Sequence, residues 1–224
     1  MIAEPASAVA PATRLRPELR VYLLLEDLQR QFAAYMGTPT RARGYPPLEG
    51  SHALIVEVAP GLSIERVIDV ALKAVPAVEP GLLFVERQFG ILEVHSYDLD
   101  EVRRAGDAIL ERIESVPTDQ LRPRVLFADA IEDIGDQHAV IINRTRQASM
   151  VIPGETLLVL EVVPALFAAV AANEAERAVP ENTLVDVQMI GAAGRVYISG
   201  SSEGVARAQH EITRILGEIE GREH

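Results

Sequence analysis

The sequence has no cysteine and no tryptophan, and it contains a single lysine, Lys73. Without cysteine there is no disulfide, no thiolate nucleophile, no Cys-ligated zinc and no ordinary iron–sulfur cluster. The same absence fits a reducing cytosol. Aromatic residues make up only 4% of the chain, so any packed core must be built from Ala, Val, Ile and Leu. Cations are outnumbered, 21 Lys and Arg against 33 Asp and Glu, for a formal charge of −12. A chain this acidic has no cationic surplus with which to displace counterions from phosphates, which argues against nucleic acid as a partner. It argues equally against an anionic membrane surface.

Long hydrophobic runs are missing too. The most apolar stretch, residues 157–172, is interrupted by Glu161 and Pro164 and is too short to span a bilayer. The first dozen residues are rich in Ala and Pro but lack the basic start and continuous apolar run of a signal peptide; residues 1–16 read as a flexible tail. No phosphate-binding glycine loop, dinucleotide fingerprint or HExxH motif occurs. The five histidines pair neither with each other nor with carboxylates at metal-ligand spacing on one helix face. No metal, cofactor or catalytic set is expected. His95 stands near Ser96 and Asp98, but sequence neighbours are rarely the spatial neighbours a triad needs, and a surface strand end is expected there.

What the chain does have is 48% hydrophobic residues and an internal repeat. A shift of 104 places Leu54 on Leu158, Glu57 on Glu161, Pro60 on Pro164, Ala71 on Ala175, Pro76 on Pro180 and Gly90 on Gly194. The same shift sets Arg20-Val21 on Arg124-Val125, so one register is expected from residue 20 to residue 90. The halves are then 17–120 and 121–224, joined at residues 117–123. Glu57 and Glu161 hold one repeated position and read as polar sheet-edge or interface residues rather than an acid–base pair.

Within the first half, residues 53–58 predict a buried strand ended by Pro60-Gly61. Ser63 is a candidate cap for a helix whose apolar positions Ile64, Val67, Ile68, Ala71, Leu72 and Val75 form one stripe. Strands over 82–86 and 91–95 follow, joined as a hairpin by a tight turn at 88–90. Asp98 with Glu101 suggests a capping box opening a helix that carries Val102, Ile109 and Ile113; Val205, Ile212 and Leu216 repeat it. A strand over 21–25 and a short helix over 27–36, with Leu28 and Phe32 inward, precede all of this. Each half is thus a two-layer α/β unit, a sheet with helices laid on it.

Residues 53–58, the stretch from Val67 to Val75, Pro80 to Arg87 and 102–110 resemble the bacterial microcompartment shell domain. More narrowly, the chain is similar to the permuted, tandem shell proteins of ethanolamine-utilisation compartments and some carboxysomes. The segments 19–25 and 43–47 match the start of those proteins. The resemblance implies an α/β (α+β) fold of two tandem, circularly permuted shell domains. The strand that closes the unpermuted domain would here precede it, at 21–25 and again at 125–130. It also implies a homotrimer, a flat pseudo-hexagon that tiles with hexameric and pentameric shell proteins around encapsulated enzymes. Stacking of two trimers is left open. Small metabolites would cross a central, gated pore lined by Glu86 and Arg87, with Gln88, Phe89 and Gly90 shaping its loop. Ile190-Gly191 stands where Glu86-Arg87 stands, so only the first half would gate. Lys73 matches the family's lysine at tile edges, and Arg177 takes its place in the second half. The shell would lie in the cytoplasm. The competing reading is a small-molecule-binding regulator of two ferredoxin-like units, with its site in the loops 37–50 and 144–155; a divergent enzyme is a third.

Overall fold

A computed structural model describes residues 16–38 and 44–224; the expected tail lies outside these residues except for Arg16. The first half is a four-stranded antiparallel sheet of β1 (Glu18–Leu25), β2 (His52–Ala59), β3 (Glu79–Glu86) and β4 (Phe89–Ser96), in the order β1-β2-β4-β3. The second repeats it with β5 (Arg124–Ile131), β6 (Thr156–Val163), β7 (Thr183–Gln188) and β8 (Gly194–Gly200), in the order β5-β6-β8-β7. The helices are α1 (Arg30–Met36), α2 (Ile64–Ala74) and α3 (Leu99–Ile113), then α4 (Asp136–Thr145), α5 (Phe167–Ala178) and α6 (Ser202–Glu218). The first strand of each half closes its sheet from the edge beside the second, the permuted arrangement that the resemblance implies.

β2 and β6 are central strands, which is why they read as near-continuous apolar runs. Glu57 and Glu161 are therefore not at a sheet edge. The stripe on α2 faces the sheet through Ile64, Val67, Ala71 and Val75, all buried against Leu54, Val56, Leu92 and Val94. Ser63 does not cap this helix: a 3-10 turn over Gly61–Ser63 precedes α2, and the Ser63 hydroxyl donates to the Pro60 carbonyl. Asp98 does cap α3, accepting from the Asp100 amide. Glu101 turns to the hydroxyl of Ser96 instead of completing a capping box. The peptide bonds before Pro60 and Pro164 are both cis.

The register of the repeat changes along the chain. From β2 to β4 the spacing is 104, with Val58 against Gly90 as Val162 is against Gly194. In β1 it is 106: Glu18 pairs with Ala59 as Arg124 pairs with Val163, and Leu19 with Val58 as Val125 with Val162. Arg124 thus answers Glu18, not Arg20, and the single register expected from residue 20 does not hold. The whole connection from the first strand to the central one, helix included, is two residues shorter in the second half and absorbs the difference.

The first sheet is covered on both faces. One face meets α2 and α3. The other, through Val21, Leu23, Ile55 and Ile91, joins Phe32, Tyr35 and Met36 of the α1 region and the apolar residues of α5 in one core. Phe167, Ala168, Ala169 and Ala172 are consequently buried around the full circumference of α5. Each fully buried large side chain contributes about 1.5–3 kcal/mol, so this contact fuses the two halves.

Candidate functional site

The β3–β4 hairpin turns in two residues. Glu86 pairs with Phe89, Arg87 and Gln88 form the turn, and Arg87 takes a left-handed φ of 41°. The Arg87 side chain is 92% exposed and lies 3.8 Å from the Glu86 carboxylate, which is two-thirds covered. An acid and a base therefore sit side by side at a projecting tip. In the second half, residues 189–193 link β7 to β8, Met189 is buried, and the two positions hold Ile190 and Gly191. The pair exists in one half alone.

The base of the hairpin is fixed. Gly90 is buried beneath the 3-10 turn, where an added Cβ would lie 2.2 Å from the Gly61 carbonyl oxygen; the same substitution at Gly194 meets Ala165 at 2.1 Å. Gly90 thus serves close packing under the hairpin and does not line its tip. Phe89 is also held down, its ring centroid 3.7 Å from the Arg20 guanidinium carbon. Arg20 Nε donates to Glu57 Oε1 at 2.8 Å. Burial pushes the Glu57 carboxyl up despite this bond and the guanidinium charge. In the second half the cation comes from a different strand: Arg195 pairs with Glu161 at 3.0 Å.

Lys73 and Arg177 have different surroundings. Lys73 is exposed on the last turn of α2 and pairs at 2.8 Å with Asp69 one turn back. That ammonium holds the Asp69 carboxyl below its usual range. Arg177 is not a free edge residue: its guanidinium donates to the carbonyl of Asp27 at 2.9 Å and meets the Asp27 carboxylate at 3.3 Å. These bonds belong to a larger junction that the sequence reading missed. The Glu176 carboxylate is buried and accepts from the Gln31 and Phe32 amides at 2.8 and 3.0 Å, so a carboxylate of one half caps the N-terminus of α1 in the other. Asn173 Oδ1 accepts from the Gln29 amide at 2.8 Å. The sequence offered only a weak signal: Asn173 and Glu176 stand among Glu174 and Arg177 in the polar second half of an Ala-rich helix.

His95 is buried, not a surface strand end. Its Nδ1 lies 3.0 Å from Glu93 Oε1, and Glu79 lies 3.6 Å from its other ring nitrogen. Glu93 is fully buried, and burial pushes its carboxyl up, offset in part by His95. Their alternation on β4, on the face carrying Ile91, places both against the core. Ser96 and Asp98 turn to capping α3, so no triad forms. Among the described residues, no group of three or more His, Asp or Glu is placed to hold a metal ion. No helix among them is long and apolar enough to cross a membrane. Of the loops of the regulator reading, residues 39–43 lie outside the described residues; Thr38 and Gln147 to Ser149 contribute to a cavity of about 230 Å³ beside Arg30 and Gln31. That is below the roughly 300–1,000 Å³ of small-molecule sites.

Known proteins share this architecture over nearly the whole chain. Residues 19–119 match the family model described as the CsoS1D N-terminal domain. The carboxysome shell protein CcmP of Synechococcus elongatus is 42% identical over 207 residues, 92% of this chain and 95% of the relative. The carboxysome shell protein CsoS1D of Prochlorococcus marinus is 39% identical over 203 residues, 90% of this chain and 78% of the relative. Among solved structures, the double ringed trimeric shell protein MSM0271 of the RMM microcompartment superposes with a TM-score of 0.90 at 67% identity, over 93% of this chain and all of that one. The fused permuted hexameric shell protein MSM0275 of the same compartment gives 0.87 at 45% identity, over 92% and 99%. With two permuted sheets of one design, and with relatives this similar from end to end, the chain belongs to the family of tandem-domain microcompartment shell proteins, whose role is structural and whose place is the shell.

Proposed function

We propose that three copies of this chain close into a flat ring that tiles the shell and conducts small metabolites through a central pore. The observation that carries the pore is the Glu86–Arg87 tip, exposed and ionic in one half and replaced by Ile190-Gly191 in the other. Around a threefold axis, three tips bring three carboxylates and three guanidinium groups together. Paired, they neutralise one another and narrow the opening; turned apart, they leave it wide. The two arrangements are near in energy because exposed ion pairs contribute only about 0–1 kcal/mol each. Lys73, exposed on α2, is the proposed contact at the edge where tiles meet. Arg177, spent within the chain, is not.

Support for the ring comes from the tandem repeat, which gives three chains six similar sides, and from the trimeric description of the 67% identical relative. That relative is also double ringed, and stacking of two rings is proposed here on the same ground. Encapsulated enzymes and other shell proteins are the proposed partners, and the chain itself is read as non-catalytic. Light scattering on dilute protein tests the ring: a mass three times the 24.4 kDa of the chain, or six times if rings stack, supports it, and 24.4 kDa refutes it. Electron micrographs of concentrated protein test the tile, with extended sheets expected.

A further inference from the structure

The ladder of the β3–β4 hairpin runs to its tip, whereas that of its twin stops short. The last pairs in the first half are Val85 with Gly90 and Glu86 with Phe89. Between β7 and β8 pairing ends at Gln188 and Arg195, the counterparts of Phe84 and Ile91. At a spacing of 104, Glu86, Arg87 and Phe89 become Ile190, Gly191 and Ala193; at the 106 of the first strand, Arg20 becomes Leu126. Only the central-strand carboxylate is kept, as Glu57 and Glu161, and Arg195 serves Glu161 from the neighbouring strand. Ionic tip, aromatic ring and β1 arginine thus occur together in one half and are replaced together in the other.

Their geometry gives the reason. Phe89 lies directly opposite Glu86 across the turn, so the two side chains leave the same face of the sheet. On that face the Arg20 guanidinium carbon stands 3.7 Å from the centre of the Phe89 ring. Arg20 is itself held, its Nε donating to Glu57 Oε1 at 2.8 Å, and the two side chains are only 19% and 3% exposed. An arginine bonded to a buried carboxylate is a fixed cover, because leaving would strand that charge without its partner. Phe89 is pressed from its backbone as well: a Cβ added at Gly61 would lie 3.0 Å from the Phe89 carbonyl oxygen. The grip stops there, since Arg87, two residues earlier, is 92% exposed.

We infer that Arg20 is a positioning residue for the pore tip: locked by Glu57 and laid over Phe89, it anchors the hairpin and confines gate movement to Glu86, Arg87 and Gln88. The inference rests on the pore proposed above and supplies its hinge. Arg20 acts through Phe89 and touches nothing that passes. A two-stranded end without such an anchor is weakly held and sways as a whole. Three swaying tips would define no opening on a threefold axis. With the anchor in place, paired and parted arrangements of the tip differ only in the turn and its side chains, so the opening switches between set sizes.

The cysteine-free chain allows a single label at the tip. A nitroxide on Gln88→Cys puts one spin on every tip of the assembled ring, and dipolar spectroscopy reads the separations among them. With the rest of the chain unaltered, short and sharply defined separations are expected. Phe89→Leu, which keeps an apolar side chain but loses the ring, should spread them into a broad range. Arg20→Leu combined with Glu57→Gln, which leaves no unpaired buried charge, should do the same. Phe89→Tyr retains the ring and should retain the sharp separations. Glu176→Ala loosens the chain at the α1 junction and should leave them sharp, which distinguishes positioning from loss of stability. Separations as sharp in both anchor variants as in the parent overturn the anchor and leave the pore standing. Equal broadening by Glu176→Ala, or a broad range already present in the parent, overturns the anchor too. Labels as far apart as the width of the ring would put the tips on its rim and end the pore and the anchor together.

Discussion

Leu62 and Leu166 occupy the same place in the two repeats, and one is 76% exposed while the other is fully buried. Each follows its cis-proline turn by two residues and begins the same helical entry. What differs is the neighbour: Leu166 lies in the core that α1 closes, and among the described residues Leu62 is left uncovered. Identical local chemistry thus ends in opposite environments because a chain of two units has one internal junction and two open ends.

Removal of the carboxylate that caps α1 should loosen the junction. Glu176→Ala deletes the acceptor for two amides, and we expect a loss of about 1–3 kcal/mol in chemical denaturation. Hydrogen exchange should localise the change, with faster exchange in α1 and unchanged protection in α3.

Arg20 should matter more than an exposed arginine. Arg20→Ala leaves the buried Glu57 without its cation and Phe89 without its cover, and a loss of about 3–5 kcal/mol is expected. The double variant with Glu57→Gln should recover part of this. Equal destabilisation of single and double variants in urea melts would show that the charge is not the cause.

Two glycines predict opposite signs. At Gly90, an alanine Cβ would sit 2.2 Å from a carbonyl oxygen, so Gly90→Ala should cost at least about 1–3 kcal/mol through forced displacement of backbone. At Gly217, inside the last turn of α6, nothing lies within 4 Å of the new Cβ, and Gly217→Ala should gain up to about 0.5–1 kcal/mol. Thermal unfolding of both variants checks the pair.

The pH dependence is set by the buried carboxylates. Glu93 has its folded-state pKa raised above 4.5, so between the unfolded and folded values the native state holds the extra proton. Stability from this group is therefore full at lower pH and is lost as pH rises through the folded value. Glu93→Gln should flatten that fall, and calorimetric melts from roughly pH 4 to pH 7 should show the variant gaining on the parent as pH rises. A constant difference across the range would remove Glu93 from the titration.

At the hairpin tip, Arg87→Ala and Glu86→Ala should leave stability within about 0.5 kcal/mol, because neither side chain belongs to a core. Each leaves three like charges converging if the tips meet on the axis, and crystal structures of either should show the tips drawn apart. Tips found on the outer rim in any such structure would end the gating proposal.

The repeat, the helix stripes and the hairpin were legible in the sequence because they rest on local rules. Residues at helical spacing share a face, and Pro and Gly end elements wherever they stand. The Asp98 cap is short-range for the same reason, whereas the hairpin turn expected at 88–90 falls at Arg87-Gln88, because Phe89 and Gly90 already pair within the sheet. Long-range packing decided the rest. His95 and Glu93 read as ordinary strand residues, and only the fold, which brings Gly81 and the segment 45–51 of the same half beside them, made them buried and their charge costly. Arg177 aligned with Lys73, yet the fold gave it Asp27, a residue 150 positions away. The change of register from 104 to 106 was invisible to an ungapped shift, since loop length carries little penalty and the strand pairing alone fixes which residues face each other.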